Sequence, residues 1–142
     1  MTGKNIRWEQ RFSNYRKALA KLAEVAEKRK LEDLSELERE GLIQRFEYTY
    51  ELAWKTLQDI LRYKGYTEIA GPNPVLAQAF QDGYITDGGT WRKMKLSREM
   101  TSHTYDSDTA KEIAHSILTQ YYAAFAELGD RLSKELTDGG DK

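Results

Sequence analysis

Between Ser35 and Gly65 the apolar residues recur in steps of three and four: Leu37, Ile43, Phe46, Tyr50, Ala53, Trp54, Leu57, Ile60 and Leu61. That period is one face of an α-helix, and no proline interrupts it. Ser35-Glu36-Leu37-Glu38 opens the segment as a capping box, with Ser35 at the N-cap and Glu38 at the third helical position. Lys64-Gly65 closes it, because glycine takes the left-handed cap without strain. Leu42, Tyr48 and Leu52 lie on the other side, so the helix is apolar on more than one face. Such a helix is central to a bundle or meets a partner chain.

The rest of the chain follows the same period. Trp8, Phe12, Tyr15, Leu19, Leu22 and then Val25 or Ala26 predict a first helix over about residues 6–30. Gly71-Pro72-Asn73-Pro74 is a turn in which Asn73 caps and Pro74 takes the first position of a short helix, Pro74 to Asp82. Asp87 caps a fourth helix through Trp91, Met94, Lys95 and Arg98. Asp106 or Ser107 caps a fifth, whose face is Ala110, Ile113, Ile117, Tyr121, Ala124, Leu128 and Leu132. Met1 to Asn5 and the polar tail from Thr137 read as unstructured. No alternating strand pattern and no repeat is present. The expectation is an all-α fold, an antiparallel up-and-down bundle of three long and two short helices. With 142 residues it makes one domain, residues 1–142, ordered over about 6–136.

Composition narrows the function. Lys and Arg number 22 against 23 Asp and Glu, a formal charge of −1, so the chain is no general nucleic-acid coat. The absence of cysteine excludes disulfides, thiolate metal sites and thiol nucleophiles. Two histidines alone make no multi-histidine metal site, and no metal or cofactor is expected. The longest purely apolar run, Tyr121 to Ala126, is far short of the roughly 20 residues that span a bilayer. No charged-then-apolar leader opens the chain, so a cytoplasmic protein with no membrane partner is expected.

Charge is nevertheless concentrated locally. Arg92, Lys93, Lys95 and Arg98 are followed by His103 and Tyr105, with Glu99 the one opposing charge before Asp106. Lysine and arginine in such a run suit phosphate contact, Arg92 and Lys95 among them. Five residues of continuous helix turn about 500°, so Arg98 and His103 would diverge by about 140°. They converge only if the helix stops between them, and Thr101-Ser102-His103-Thr104 is where a stop is expected. Arg98 would then hold a phosphate while His103 moves a proton, a workable pair for attack of a ribose 2′-hydroxyl on its own phosphodiester. The same spacing also suits a surface arginine and a histidine that closes a helix end. Other candidates read as structural. Glu47 and Glu51 share a helix face and suit solvent or a salt bridge such as Glu51 with Lys55. His115 reads as a satisfied helix residue. Gly88-Gly89 lacks the strand and the Lys-Ser/Thr of a phosphate loop. Phe46, Tyr50 and Trp54 read as core.

Gly41-Leu42-Ile43-Gln44-Arg45-Phe46-Glu47-Tyr48-Thr49-Tyr50-Glu51-Leu52-Ala53-Trp54-Lys55 resembles the second-helix signature of the nucleotidyltransferase substrate-binding protein family. Gly71-Pro72 fits it, as does Asp82-Gly83-Tyr84-Ile85 with Trp91 six residues on. Arg98 to Tyr105 resembles the family's most diagnostic motif, and the similarity runs from about Trp8 to Leu132. The family belongs to the HEPN superfamily. The resemblance implies a helical homodimer, paired with a minimal nucleotidyltransferase, like the HepT-like toxins of HEPN/MNT toxin–antitoxin systems. It implies a metal-independent ribonuclease with Arg98 and His103 catalytic, two copies lining one RNA cleft, and Tyr105 silenced by transfer of AMP from the partner. The older family name implies a different role, a non-catalytic subunit that presents substrate or nucleotide to the transferase. In one respect the chain departs from the pattern: many active members carry a small polar residue after the motif arginine, and here it is Glu99.

Overall fold

A computed structural model describes residues 6–140, with no β-strand among them. Three long helical stretches carry the architecture. Helix α1 (Ile6–Ala26) buries Trp8, Phe12, Tyr15 and Leu22 against α2 (Glu36–Tyr63), which runs back beside it. The third stretch, α5 (Ser107–Ser116) and α6 (Tyr122–Gly140) joined by a π-helical turn Ile117–Tyr121, packs on both. Two shorter helices, α3 (Pro72–Gln81) and α4 (Gly88–Met100), brace one side. The result is the expected antiparallel all-helical bundle.

The caps of α2 form as its sequence dictates. Ser35 Oγ accepts from the Glu38 amide at 3.1 Å, and Glu38 Oε1 accepts from the Ser35 amide at 2.8 Å. At the other end Gly65 takes a φ of +111°, and the Tyr66 amide turns back to the Leu61 carbonyl. Between the caps Phe46, Tyr50, Ala53, Leu57, Ile60 and Leu61 are buried, and Trp54 is only partly so. Helix α2 is thus the central element, touching α1, α3, α4 and α5.

Several boundaries differ from the sequence reading. Helix α1 ends at Ala26, four residues early, because Glu27 to Lys30 has no apolar side chain to bury; a short 3₁₀ turn, Leu31–Asp33, follows. Helix α3 starts at Pro72 rather than Pro74, with Gly71 and not Asn73 at its N-cap. Gly71 turns the chain at a φ of +86°, and Pro72 then sits where a missing N–H costs nothing. Helix α6 continues through Gly140, past the predicted stop at Thr137. The unstructured start expected for Met1 to Asn5 lies outside the described residues.

The π turn shifts the core by one residue. Phe125, not Ala124, is fully buried. Its ring meets Trp91 edge-on at 5.6 Å and lies 6.1 Å from Phe46, which in turn stacks on Tyr121 at 5.4 Å. Such aromatic pairs add roughly 0.5–1.5 kcal/mol each beyond their buried area. The Tyr15 hydroxyl donates to the Phe125 carbonyl at 2.6 Å, which satisfies the polar end of a fully buried side chain. Trp91 comes from α4, so this cluster fixes α4 against the long helices and sets the direction of its outer face.

Candidate functional site

Helix α4 is positioned at both ends. At its start Asp87 accepts from the Thr90 hydroxyl at 2.7 Å and the Thr90 amide at 3.0 Å. Those hydrogen bonds, the side-chain one first, hold the Asp87 carboxyl below the usual range. Trp91 and Met94 are buried, and Ser97 meets the Tyr121 hydroxyl at 2.7 Å. Arg92, Leu96 and Glu99 are consequently left on the exposed side, with Lys95 half-buried beside them.

The helix stops at Met100, between Arg98 and His103, as the sequence spacing requires for the two to approach. Thr101 makes the stop. Its side chain is buried, and its Oγ1 lies 2.7 Å from the Arg98 carbonyl oxygen and 2.8 Å from Glu47 Oε2. A 3₁₀ turn, Thr101–His103, then leads toward α5, and the Asp106 amide donates to the His103 carbonyl. Arg98 occupies the last turn of α4 and His103 the end of the 3₁₀ turn.

Each of the predicted site residues has a definite environment. The Arg98 guanidinium is held from α2: Nε donates to Glu51 Oε2 at 3.2 Å, and Nη1 lies 3.3 Å from Glu47 Oε2 and 3.1 Å from Thr101 Oγ1. One cation therefore faces two carboxylates, all three about a third exposed. His103 is exposed, its Nδ1 3.4 Å from the Tyr105 hydroxyl, and the rings meet edge-on at 6.0 Å. Tyr105 is 85% exposed, open to any modifying enzyme. Among the described residues no hydrogen bond joins Arg98 to His103 within one chain. Lys95 Nζ sits 2.5 Å from Glu99 Oε2, so Glu99 points along its own helix to a lysine. Arg92 and Lys95 line a cleft between α3 and α4.

Glu47 and Glu51 are legible in the sequence as a carboxylate pair, but their partner is not. Lys55 lies 4.0 Å from Glu51 and Arg98 lies closer, from 47 positions away in the chain. No local signal in α2 points to that residue. The hydroxyl of Tyr50, buried beneath this network, has no hydrogen-bond partner among the described residues. Burial, then the charges of Glu51 and Glu99, push the Tyr50 phenol well up and keep it neutral. His115 is exposed on α5, away from any metal-ligand cluster; among the described residues no three such side chains converge. No helix among them is long and apolar enough to cross a membrane.

The fold and this junction define a helical bundle in which a guanidinium between two carboxylates stands one short turn from an exposed imidazole. Residues 10–134 match the family described as nucleotidyltransferase substrate binding protein like, and the chain belongs to that family. The chain is 32% identical over 77 residues to a Haemophilus influenzae protein named probable ribonuclease HepT. That match covers 51% of this chain and 53% of the relative, so the chain spans about half the length of the curated relative it matches. A crystal structure of a Thermus thermophilus protein, 38% identical, superimposes with a TM-score of 0.75 over 83% of this chain and 98% of that one. A Haemophilus influenzae structure shares the fold at 22% identity, with a TM-score of 0.65 over 89% of this chain and 96% of that one. It is described as the fold of a substrate binding domain of a nucleotidyltransferase.

Proposed function

We propose that the chain is the ribonuclease component of a HEPN/MNT toxin–antitoxin pair, acting as a homodimer on RNA and silenced by a partner nucleotidyltransferase. The observation that supports this reading is the stop of α4 between Arg98 and His103, which leaves an exposed imidazole one short turn beyond a guanidinium. In the proposed reaction His103 takes the proton from a ribose 2′-hydroxyl. The 2′-oxygen attacks the adjoining phosphorus, and the P–O bond to the 5′-oxygen breaks. The departing 5′-oxygen takes a proton from the imidazolium of a second copy, and a 2′,3′-cyclic phosphate remains. Arg98 stabilises the charge that builds on the phosphorus oxygens. Arg92 and Lys95 contact flanking phosphates. Transfer of AMP to the Tyr105 hydroxyl, 3.4 Å from His103, would place a negative phosphate and a nucleoside beside the imidazole and close the site by charge and bulk.

One observation favours a second reading, a non-catalytic subunit that presents substrate to the transferase. Glu47 and Glu51 together outweigh the charge of Arg98 in the isolated chain. A cleavage assay in EDTA separates the two. Unmodified protein, verified by intact mass, is expected to cut RNA and leave 2′,3′-cyclic phosphate ends, and His103→Ala is expected to lose at least about 100-fold in rate. Absence of cleavage by the parent across several RNAs would transfer the assignment to the substrate-presenting subunit. If Tyr105→Phe is still silenced by the transferase, Tyr105 is not the modified residue.

A further inference from the structure

A mainly apolar concavity lies away from the Arg98–His103 junction. Between α3 and α4 is a cavity of about 490 Å³, within the range of small-ligand pockets. Its floor is apolar, formed by the buried Leu76, Ile85 and Trp91. Phe80 forms one wall and is 51% exposed, so its ring face is open to a ligand. Gly88, the first residue of α4, lets that ring lie over the helix start, since a Cβ there would come within 3.3 Å of Phe80 Cδ1. The opposite rim carries Arg92 and Lys95, three residues apart on one side of α4. Lys95 is tethered to Glu99, whereas Arg92 makes no ion pair among the described residues.

These surfaces make different demands, and few ligands meet them together. A free inorganic anion would use the cations and leave the apolar floor and Phe80 idle. An aliphatic chain would cover the floor and leave the cations unmatched. A flat aromatic base joined to a phosphodiester satisfies both, because every base presents a π-face for an aromatic ring and every linkage a negative charge. Position on the helix supports the same ligand. Arg92 and Arg98 are six residues apart, about 9 Å along the axis of α4. They point about 120° apart around the helix with Lys95 midway between them, so a strand with one phosphate at Arg98 reaches the cleft by winding past Lys95.

We propose that the α3–α4 cleft takes one unstacked base of single-stranded RNA, with Phe80 as the stacking face and Arg92 and Lys95 on the adjoining phosphates. This inference rests on the reading of Arg92 and Lys95 as phosphate contacts and is independent of cleavage at His103.

The test is equilibrium binding by the full chain carrying His103→Ala, which keeps the RNA intact. The probes are a short fluorescent single-stranded oligoribonucleotide and a strand of equal length without bases. The base-bearing strand is expected to bind roughly 5- to 150-fold more tightly, the worth of one base–aromatic stack. Phe80→Ala should abolish that ratio, and Phe80→Trp should restore it. Phe80 is half exposed, so unchanged thermal melts are expected to verify that these variants fold. Arg92→Gln with Lys95→Gln should weaken both strands alike and flatten the salt dependence. A base-to-abasic ratio untouched by Phe80→Ala would overturn the cleft assignment and leave the phosphate contacts standing. No effect of the double glutamine variant on either strand would remove the phosphate reading beneath it. Phe80-dependent binding of AMP, with no binding of either strand, would also overturn the proposal and give the cleft to a free nucleotide.

Discussion

Two arginines reach α2 from different helices, and they are held in different ways. Arg11 of α1 donates from Nε to Asp59 Oδ2 at 2.7 Å, and that carboxylate is only 3% exposed. Arg98 of α4 lies at 3.2–3.3 Å from two carboxylates that are each about a third exposed. The first is one charge against one, its acid closed from water and its arginine a third exposed, and its geometry ties α1 to α2. The second leaves an excess of negative charge at a surface where His103 and Tyr105 stand open. A buried acid needs its partner in order to remain charged in the fold. A surface pair contributes little to stability and leaves its cation available to a stronger anion. The first arrangement suits structure, and the second suits exchange of partners.

Two substitutions break the comparison at its ends, and the largest effect is expected at the open site. Arg98→Ala should lower the proposed RNA cleavage by about 100-fold or more, the scale of removing one donor to developing charge. The same variant should change stability by less than about 1 kcal/mol, because Glu47 and Glu51 can turn to water. Arg11→Ala should do the reverse. It strands Asp59 in the core at a cost of about 3 kcal/mol, a fall of roughly 10 °C in Tm. Cleavage measured well below that Tm should not change. Single-turnover rates and thermal melts on both variants check the pair. A large loss of stability in Arg98→Ala would mean that the open cluster is structural after all.

The part of this contrast that can be read in the sequence is the part written locally. Ser35, Glu38 and Gly65 set the ends of α2 through contacts a few residues long, and all appear as expected. The stop after Arg98 is legible for the same reason, since Thr101 bonds within its own turn. The π turn escapes the simple helical period, although its trace is present. From Ile113 the buried residues Ile117, Tyr121 and Phe125 follow in three consecutive steps of four. At 100° per residue these steps run 120° ahead of a straight α-helical stripe, and a wider turn absorbs the excess. Ala124, which fits the simpler period, packs against the core only partly buried, and Phe125 takes the interior position. The Arg98–Glu51 and Arg11–Asp59 pairs span 47 and 48 positions. Only packing decides which acid of α2 meets which arginine, so neither pair is legible in advance.

A smaller change sharpens the view of the open site. Glu51→Gln removes one negative charge and leaves one acceptor oxygen, enough for either Arg98 Nε or the Trp54 indole, which in the parent lie 3.2 Å from different oxygens of Glu51. The cluster of Arg98, Glu47 and Glu51 then becomes neutral. RNA should bind several-fold more tightly at low salt, and the gain should fade as salt screens it. Titration of RNA binding at two ionic strengths checks this. Equal affinity for parent and variant at low salt would show that phosphate does not approach Arg98.

The smallest effect concerns a third cluster, the inverse of the Arg98 arrangement, with one acid between two cations. Glu135 of α6 lies 2.7 Å from Lys64 and 3.2 Å from Arg131, and is 18% exposed. Burial pushes its carboxyl up, but the hydrogen bonds from Lys64 and Arg131 outweigh that, and it titrates below the ordinary 4.5. A depressed folded pKa means stabilisation present above the unfolded value and lost as pH falls through the folded one. Lys64 is raised above 10.5, chiefly by its hydrogen bond to Glu135, so its share persists below that pH and is lost as pH rises through the folded value. Glu135→Gln should therefore lower stability at pH 7 by less than about 1 kcal/mol, given the exposure of Lys64. The difference from the parent should close only as pH falls through the depressed folded value, beneath which unfolding in urea compares two uncharged side chains. A gap that stays constant from pH 7 to acid would assign Glu135 a packing role without charge. The cluster would then resemble neither arginine site, and the number of opposing charges would cease to explain how these surfaces differ.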